Sequence, residues 1–293
     1  VTAPDAGEVF LTAEDGGRIA VSVLRPLEHG GDERPVVVLA HGWGGGRRIW
    51  SLVTDRLLRG GFPVVAYDLR GHGASTVGSL GVTAEAMTAD LATVLSYAGD
   101  APIVVGHSGG GFAALALAAG SGPDAGPAGL VLVASAAHDQ DTPEKEAAMM
   151  EAPLFSWALR RPALGRLLLG QMTGTALDSR LREVNRQVFA GTAPTVRAAC
   201  FRSSRGMDLR AAQASVRVPV AVLAGEKDKV IRPELGRELA AALPDATFTL
   251  LPGAGHVLPL ESPDAVVAAV LRVHGASAGR SRSDGAVKRT GSR

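Results

Sequence analysis

Three side chains far apart in the chain have types and neighbourhoods suited to acyl-transfer chemistry. Ser108 lies in Gly106-His107-Ser108-Gly109-Gly110, a Gly-x-Ser-x-Gly run. Residues 101–105 before it read as a short buried strand, and 109–120, rich in alanine and leucine, as a buried helix. A serine at such a strand-to-helix turn is held in a strained conformation with its hydroxyl pushed into the open. The flanking glycines let the backbone turn tightly. The first N–H groups of the helix point at the same spot, where they can meet a developing negative charge. A nucleophilic serine needs a base, and the base needs an orienting acid. Of the seven histidines, His256 lies in a glycine-rich loop after the strand-like run 246–251. Asp228 lies in the loop after another buried run, 216–224. The order Ser108, Asp228, His256 is the one expected when the three groups sit on loops at the carboxyl edge of one parallel sheet.

The elements that must position them alternate along the chain. Residues 8–13 and 18–24 read as antiparallel strands joined by Asp15-Gly16-Gly17. Residues 36–40 form the central strand, followed by a helix over 50–58 that ends at Gly60-Gly61. A strand over 63–67 leads to Asp68, and Thr83 caps a helix running to about Tyr97. Further strands are predicted at 129–134, 216–224 and 246–251, and a last helix at 262–273. This is an α/β pattern, with a mostly parallel sheet covered on both faces. Ligands of such sheets bind at the carboxyl ends of the strands.

Between 137 and 211 the strand pattern stops. Short helices are predicted there, broken at Pro153, Pro162, Gly165, Gly170, Gly174, Gly191 and Pro194. Inserted after a strand, this segment is expected to lie over the active-site edge as a helical cap on a core made of 1–136 and 212–274. Of its apolar residues Met149, Met150, Leu154, Phe155, Trp157, Met172, Phe189, Phe201 and Met207, some are expected to face the pocket. Taken singly, each is more readily explained as packing of cap on core. Arg160, Arg161, Arg166, Arg180, Arg182 and Arg186 read mainly as solvated helix faces, although one could meet a substrate carboxylate. Residues 275–293, rich in Gly, Ser and Arg, read as a disordered basic tail.

Five segments make the chain resemble the α/β-hydrolase superfamily, in its single-domain form with a helical cap, over roughly residues 8 to 273. They are Val36-Val-Val-Leu-Ala-His-Gly-Trp-Gly-Gly45, Asp68-Leu-Arg-Gly-His-Gly-Ala-Ser75, the serine turn, the Asp228 loop and the His256 loop. The resemblance implies catalytic roles for Ser108, Asp228 and His256. It also implies an oxyanion hole made by the backbone N–H groups of Trp43, which follows His41-Gly42, and of Gly109. The Trp43 indole reads equally as a pocket wall or as simple packing. A serine nucleophile argues against the branches that use aspartate. Within the serine branches a carboxylic ester hydrolase of a small to medium apolar substrate is the first expectation. Lactonase, thioesterase, carbon–carbon bond hydrolase and perhydrolase or haloperoxidase activities share these residues. The 68–75 segment and the glycines after Ser108 lean toward the last group. A non-catalytic small-molecule receptor on the same fold is the competing class.

Composition narrows the remaining classes. The chain has 293 residues, 46% hydrophobic, and a net charge of only +1. Much of the positive charge sits in the tail, at Arg280, Arg282, Lys288, Arg289 and Arg293, so no nucleic-acid surface is expected on the body. One cysteine, Cys200, excludes an internal disulfide, and it reads as buried packing. No membrane span and no signal-peptide layout are found, which makes a cytoplasmic protein the default. No histidine pair has metal-ligand spacing. His41 and His72 read as loop-shaping groups, His107 as packing beside the serine, and His29, His138 and His274 as loop or terminal residues. No cofactor is expected, and the partner is a small-molecule substrate.

Overall fold

The structure, a computed structural model, describes residues 5–26, 34–122, 126–140, 142–175 and 177–290, with the backbone alone at 5–6 and 281–290. His29 and residues 291–293 lie outside them. Its eight strands are β1 (Asp5–Thr12), β2 (Arg18–Arg25), β3 (Val37–Ala40), β4 (Val64–Tyr67), β5 (Ile103–His107), β6 (Gly129–Val133), β7 (Val220–Gly225) and β8 (Ala246–Leu251). They form one sheet in the order β1-β2-β4-β3-β5-β6-β7-β8. β1 pairs with β2, and β2 with β4, antiparallel. Every other pairing is parallel. β7 starts at Val220 rather than 216 because Pro219 has no N–H to give the ladder.

The central strands are buried at every position, and are mostly apolar, because both sheet faces are covered. Alternate residues point to opposite faces. Val38, Ala40, Val104, Leu130, Leu132 and Val222 pack on one side against α2 (Ala84–Ala98), α3 (Gly109–Gly120) and α9 (Pro233–Ala242). Val37, Leu39, Val105, Val131, Val133 and Leu223 pack on the other against α1 (Ser51–Arg59) and α11 (Pro263–Thr290). Thr83 caps α2, accepting the Ala86 N–H at 3.1 Å.

A buried ion cluster ties the β1–β2 turn to the sheet. The Arg70 guanidinium donates to both Asp90 carboxylate oxygens at 2.8 and 2.7 Å, and to Asp15 and the Gly81 carbonyl at 2.9 and 2.8 Å. Arg70, Asp15 and Asp90 are each buried. Removing the cation alone strands two carboxylates. Arg70→Ala is therefore expected to cost about 3–5 kcal/mol, read as a lower urea midpoint. An unchanged midpoint would show that the cluster does not hold the fold.

The connection from β6 to β7 carries α4 (Glu144–Glu151), α5 (Pro153–Arg160), α6 (Pro162–Leu169), α7 (Ser179–Gly191) and α8 (Pro194–Ser203). Pro153, Pro162 and Pro194 stand at helix starts, where a missing N–H costs nothing. Gly165 does not break α6. A methyl there would come within 2.5 Å of the Leu159 carbonyl, so the glycine permits a close helix approach. This segment has a small core of its own around Met150, Leu159, Leu169, Phe189 and Ala198. Arg197 staples it, donating to the Thr192 carbonyl at 2.6 Å and to Ser156 Oγ at 2.7 Å.

The chain's end also departs from expectation. α10 (Leu258–Glu261) precedes α11, which continues through Thr290 instead of ending near Val273. The described backbone is helical as far as Thr290, past the end expected for this helix. Glycine in a helix costs only about 1 kcal/mol. Ser277 Oγ bonds the His274 carbonyl and Arg280 reaches the Arg217 carbonyl and Asp245, which anchors the extra turns.

Candidate active site

Ser108 joins β5 to α3 with φ 52 and ψ −120, a backbone conformation rare for a residue with a side chain. Its N–H donates to the Val133 carbonyl at 2.9 Å, and its carbonyl accepts from Gly111 N at 2.9 Å and Ser135 Oγ at 2.9 Å. The turn is tight enough that a methyl on Gly106 would meet Gly111 Cα at 2.5 Å. A methyl on Gly109 would overlap the Trp43 indole, so that ring lies flat against the first turn of α3. Trp43 Nε1 has no hydrogen-bond partner among the described residues.

Asp228 and His256 come from the loops after β7 and β8. Asp228 Oδ1 accepts the N–H groups of Val230 and Ile231 at 2.8 and 2.9 Å, and Oδ2 lies 2.8 Å from His256 Nδ1. Both side chains are buried. With two backbone donors on one oxygen, the other is free to accept His256 Nδ1–H, which leaves Nε2 as the basic nitrogen. Ser108 and His256 line the same cavity.

Two neutral histidines shape the neighbouring loops, as expected. His41 Nε2 accepts the Leu69 N–H at 2.9 Å, and its Nδ1–H donates to the Gly42 carbonyl at 2.8 Å. His72 Nε2 accepts from Gly44 N at 3.0 Å, and its Nδ1–H donates to the Arg70 carbonyl at 3.0 Å. The loop holding Trp43 is thereby stitched to the loop after β4. His107 packs beside His256, with ring centroids 4.9 Å apart, and its Nε2–H donates to the His256 carbonyl at 2.9 Å.

Burial pushes His41 and His107 each down to about 3. His72 shifts the same way, also through burial. His41 and His107 stay neutral in the fold while an unfolded chain protonates both below the ordinary value of 6.5. Their contribution to stability is complete above that value and is lost as pH falls toward 3. Two protons taken up on unfolding give a slope of about 2.7 kcal/mol per pH unit in that window. The urea midpoint is therefore expected to fall steeply below roughly pH 6. A flat midpoint down to pH 4 would show that both rings accept protons in the folded chain.

The cavity holding Ser108 and His256 has a volume of about 460 Å³. Seven of the nine apolar residues considered for its wall line it: Met149, Met150, Phe155, Met172, Phe189, Phe201 and Met207. Leu154 and Trp157 do not; they face outward. Trp43 also lines the cavity, which favours the pocket-wall reading of its indole. None of the six arginines considered lies on it. Arg166 and Arg186 pair with Glu183, Arg182 donates to backbone carbonyls and Thr173, and Arg161 stacks on Trp157. Cys200 is fully buried. Among the described residues no group of three or more His, Cys, Asp or Glu is placed to hold a metal ion, and no helix is long and apolar enough to cross a membrane.

Glu261 escaped the sequence reading. Its Oε2 accepts the N–H of Gly255 at 2.8 Å and its Oε1 that of Val257 at 2.9 Å, so one carboxylate brackets His256 on both sides. Oε2 also accepts Gly174 N at 2.6 Å, and the His256 N–H donates to the Met172 carbonyl at 2.7 Å. The histidine loop is thus tied to the inserted helices. The only local signal is an acid five residues after the histidine.

A sheet whose strand ends gather a strained serine, a carboxylate-held imidazole and a glycine-rich loop around one cavity defines a hydrolase scaffold. The model of the alpha/beta hydrolase family matches residues 37–269, and the chain belongs to that family. It is 32% identical over 247 residues to a pimeloyl-[acyl-carrier protein] methyl ester esterase of Aromatoleum aromaticum, covering 79% of this chain and 94% of that protein. It is 30% identical over 247 residues to a Mycobacterium tuberculosis protein that carries a non-heme bromoperoxidase name, covering 81% and 92%. The solved structure of an esterase from Exiguobacterium antarcticum superposes with a TM-score of 0.78 over 92% of this chain and all of that one, at 18% identity.

Proposed function

We propose that this α/β hydrolase is a serine-dependent carboxylic ester hydrolase acting on small to medium apolar acyl groups. The observation that carries the reading is the 2.8 Å Asp228–His256 contact beside a cavity that also exposes the strained Ser108. Ser108 Oγ attacks the ester carbonyl carbon while His256 Nε2 takes the hydroxyl proton. Asp228 keeps Nδ1–H in place and balances the imidazolium. The backbone N–H groups of Trp43 and Gly109 meet the oxyanion, each worth about 3–4 kcal/mol in such sites. Collapse of the tetrahedral adduct breaks the bond to the leaving alkoxide, which receives the proton from His256. A water deprotonated by His256 then releases the acid from Ser108. The reaction needs no cofactor. Helices α4–α8 serve as the cap that supplies the cavity's apolar wall. The single buried cysteine suits a cytoplasmic protein.

The bromoperoxidase name of one relative supports a second reading, in which the acyl-enzyme is attacked by peroxide. Four methionines stand against it. Met149, Met150, Met172 and Met207 line the cavity, and an oxidant made at Ser108 would convert their thioethers to polar sulfoxides. The test is hydrolysis of p-nitrophenyl esters from acetate to decanoate, where turnover should peak at a chain length set by the apolar wall. No turnover on any ester, with Ser108 still reactive, would overturn the ester reading in favour of a lactone, a carbon–carbon bond or a receptor role.

Glu261 is a positioning residue in this account. Glu261→Ala is expected to lower kcat about 100-fold with little change in KM, since small misplacement of a catalytic group costs that much. Turnover within twofold of wild type would remove it from the site.

A further inference from the structure

Five of the eleven large apolar side chains that stand exposed among the described residues fall on α4–α6: Met149, Leu154, Trp157, Leu167 and Leu168. Leu154 is 74% and Leu167 73% exposed. Leu154, Trp157 and Arg161 are spaced three and four residues apart, on one face of α5 and its end. The Arg161 guanidinium lies 5.0 Å over the Trp157 ring, and Arg160 beside it is exposed. Residues 153–169 contain no aspartate or glutamate. Of the acids on neighbouring elements, Glu183 of α7 pairs with Arg166 and Arg186, Glu144 and Glu151 of α4 pair with Arg202, with Glu144 also reaching Arg205, and Glu146 of α4 lines the cavity.

We propose that the outer face of α5 and α6 docks on a lipid surface bearing anionic headgroups. Leu154, Trp157 and Leu167 enter the boundary between headgroups and acyl chains, and Arg160 and Arg161 meet the phosphates. Exposed leucine and tryptophan beside basic side chains is the composition that binds such a surface. The apolar side chains protrude from the helices, so a partner protein would need matching pockets, whereas a lipid surface needs none. Met149 and Leu168 belong both to this patch and to the cavity wall, so the cavity adjoins the docked face. Delivery of apolar esters from the lipid to Ser108 follows from that adjacency and rests on the esterase reading; the docking itself does not.

The test uses the full chain with vesicles of phosphatidylcholine alone and of equal parts phosphatidylcholine and phosphatidylglycerol. Trp50 is fully buried and Trp43 half-buried, so exposed Trp157 dominates any change in emission. The expected result is a blue shift and co-sedimentation with the anionic vesicles only, weakened by salt. Arg160→Ala with Arg161→Ala should lower partitioning roughly 30-fold, and Leu154→Ser with Trp157→Ala should abolish it. None of these residues lines the cavity, so both variants should hydrolyse a short water-soluble ester like wild type. If no ester is hydrolysed but the vesicles still bind, the docking stands and the esterase reading falls. Absence of binding to anionic vesicles, or equal binding by the arginine variant, overturns the proposal. So does a dimer that Leu154→Ser with Leu167→Ser converts to monomer, which would assign the face to a second copy. Quenching of Trp157 by polyglutamate without vesicle binding would assign it to an acidic protein.

Discussion

Replacing Ser108 by alanine is expected to lower kcat on the best p-nitrophenyl ester by about 10⁶-fold, the loss seen when the nucleophile of such a set is removed. The substitution deletes one oxygen. The backbone bonds of residue 108 to Val133, Gly111 and Ser135 do not involve it. The fold and the thermal midpoint should therefore survive. The residual rate, from the Trp43 and Gly109 donors and from binding alone, should still exceed that in water. Single-turnover kinetics should lose the acylation burst. If the variant kept wild-type turnover, another group would be the nucleophile and the strained turn would be only a packing feature.

Asp228→Asn should cost about 10⁴-fold in kcat with KM little changed. The reason lies in the two backbone bonds to Oδ1. An asparagine keeps its bonds to Val230 and Ile231 N–H only by putting its carbonyl oxygen in the Oδ1 position. Its NH₂ group then faces His256 Nδ1, which must become an acceptor. The imidazole proton moves to Nε2 and the base is lost, although every heavy atom stays in place. Steady-state kinetics of the variant, with circular dichroism to confirm the fold, check this directly. A loss of only a few fold would mean that Asp228 holds the loop rather than the tautomer.

The core of the fold and the loops that carry the three proposed reacting groups were legible because their signals are local. β3, β5 and β6 are buried on both faces and read as unbroken apolar runs. Ser108 sits among glycines that nothing but a tight turn requires. Asp228 and His256 each follow a strand within a few residues. What was not legible depends on tertiary contacts. Glu261 looks like an ordinary helix-start acid until the fold brings Gly174 and both neighbours of His256 to it. Gly165 looks like a helix breaker, and only the approach of the Leu159 carbonyl gives it another purpose. The cavity wall was predicted as a set but not by member, since Phe155 and Trp157 differ only in which side of a short helix they occupy. The final helix was stopped too early because the residues that anchor it, Asp245 and the Arg217 carbonyl, are distant in sequence.

Ser108 is proposed here as a nucleophile activated by His256. The most direct measurement is covalent labelling by a reactive fluorophosphonate, followed by intact-mass analysis and peptide mapping. A single adduct is expected, on Ser108, absent from Ser108→Ala and forming far more slowly in Asp228→Asn. An adduct on another residue, or no adduct in a preparation that hydrolyses esters, would contradict it.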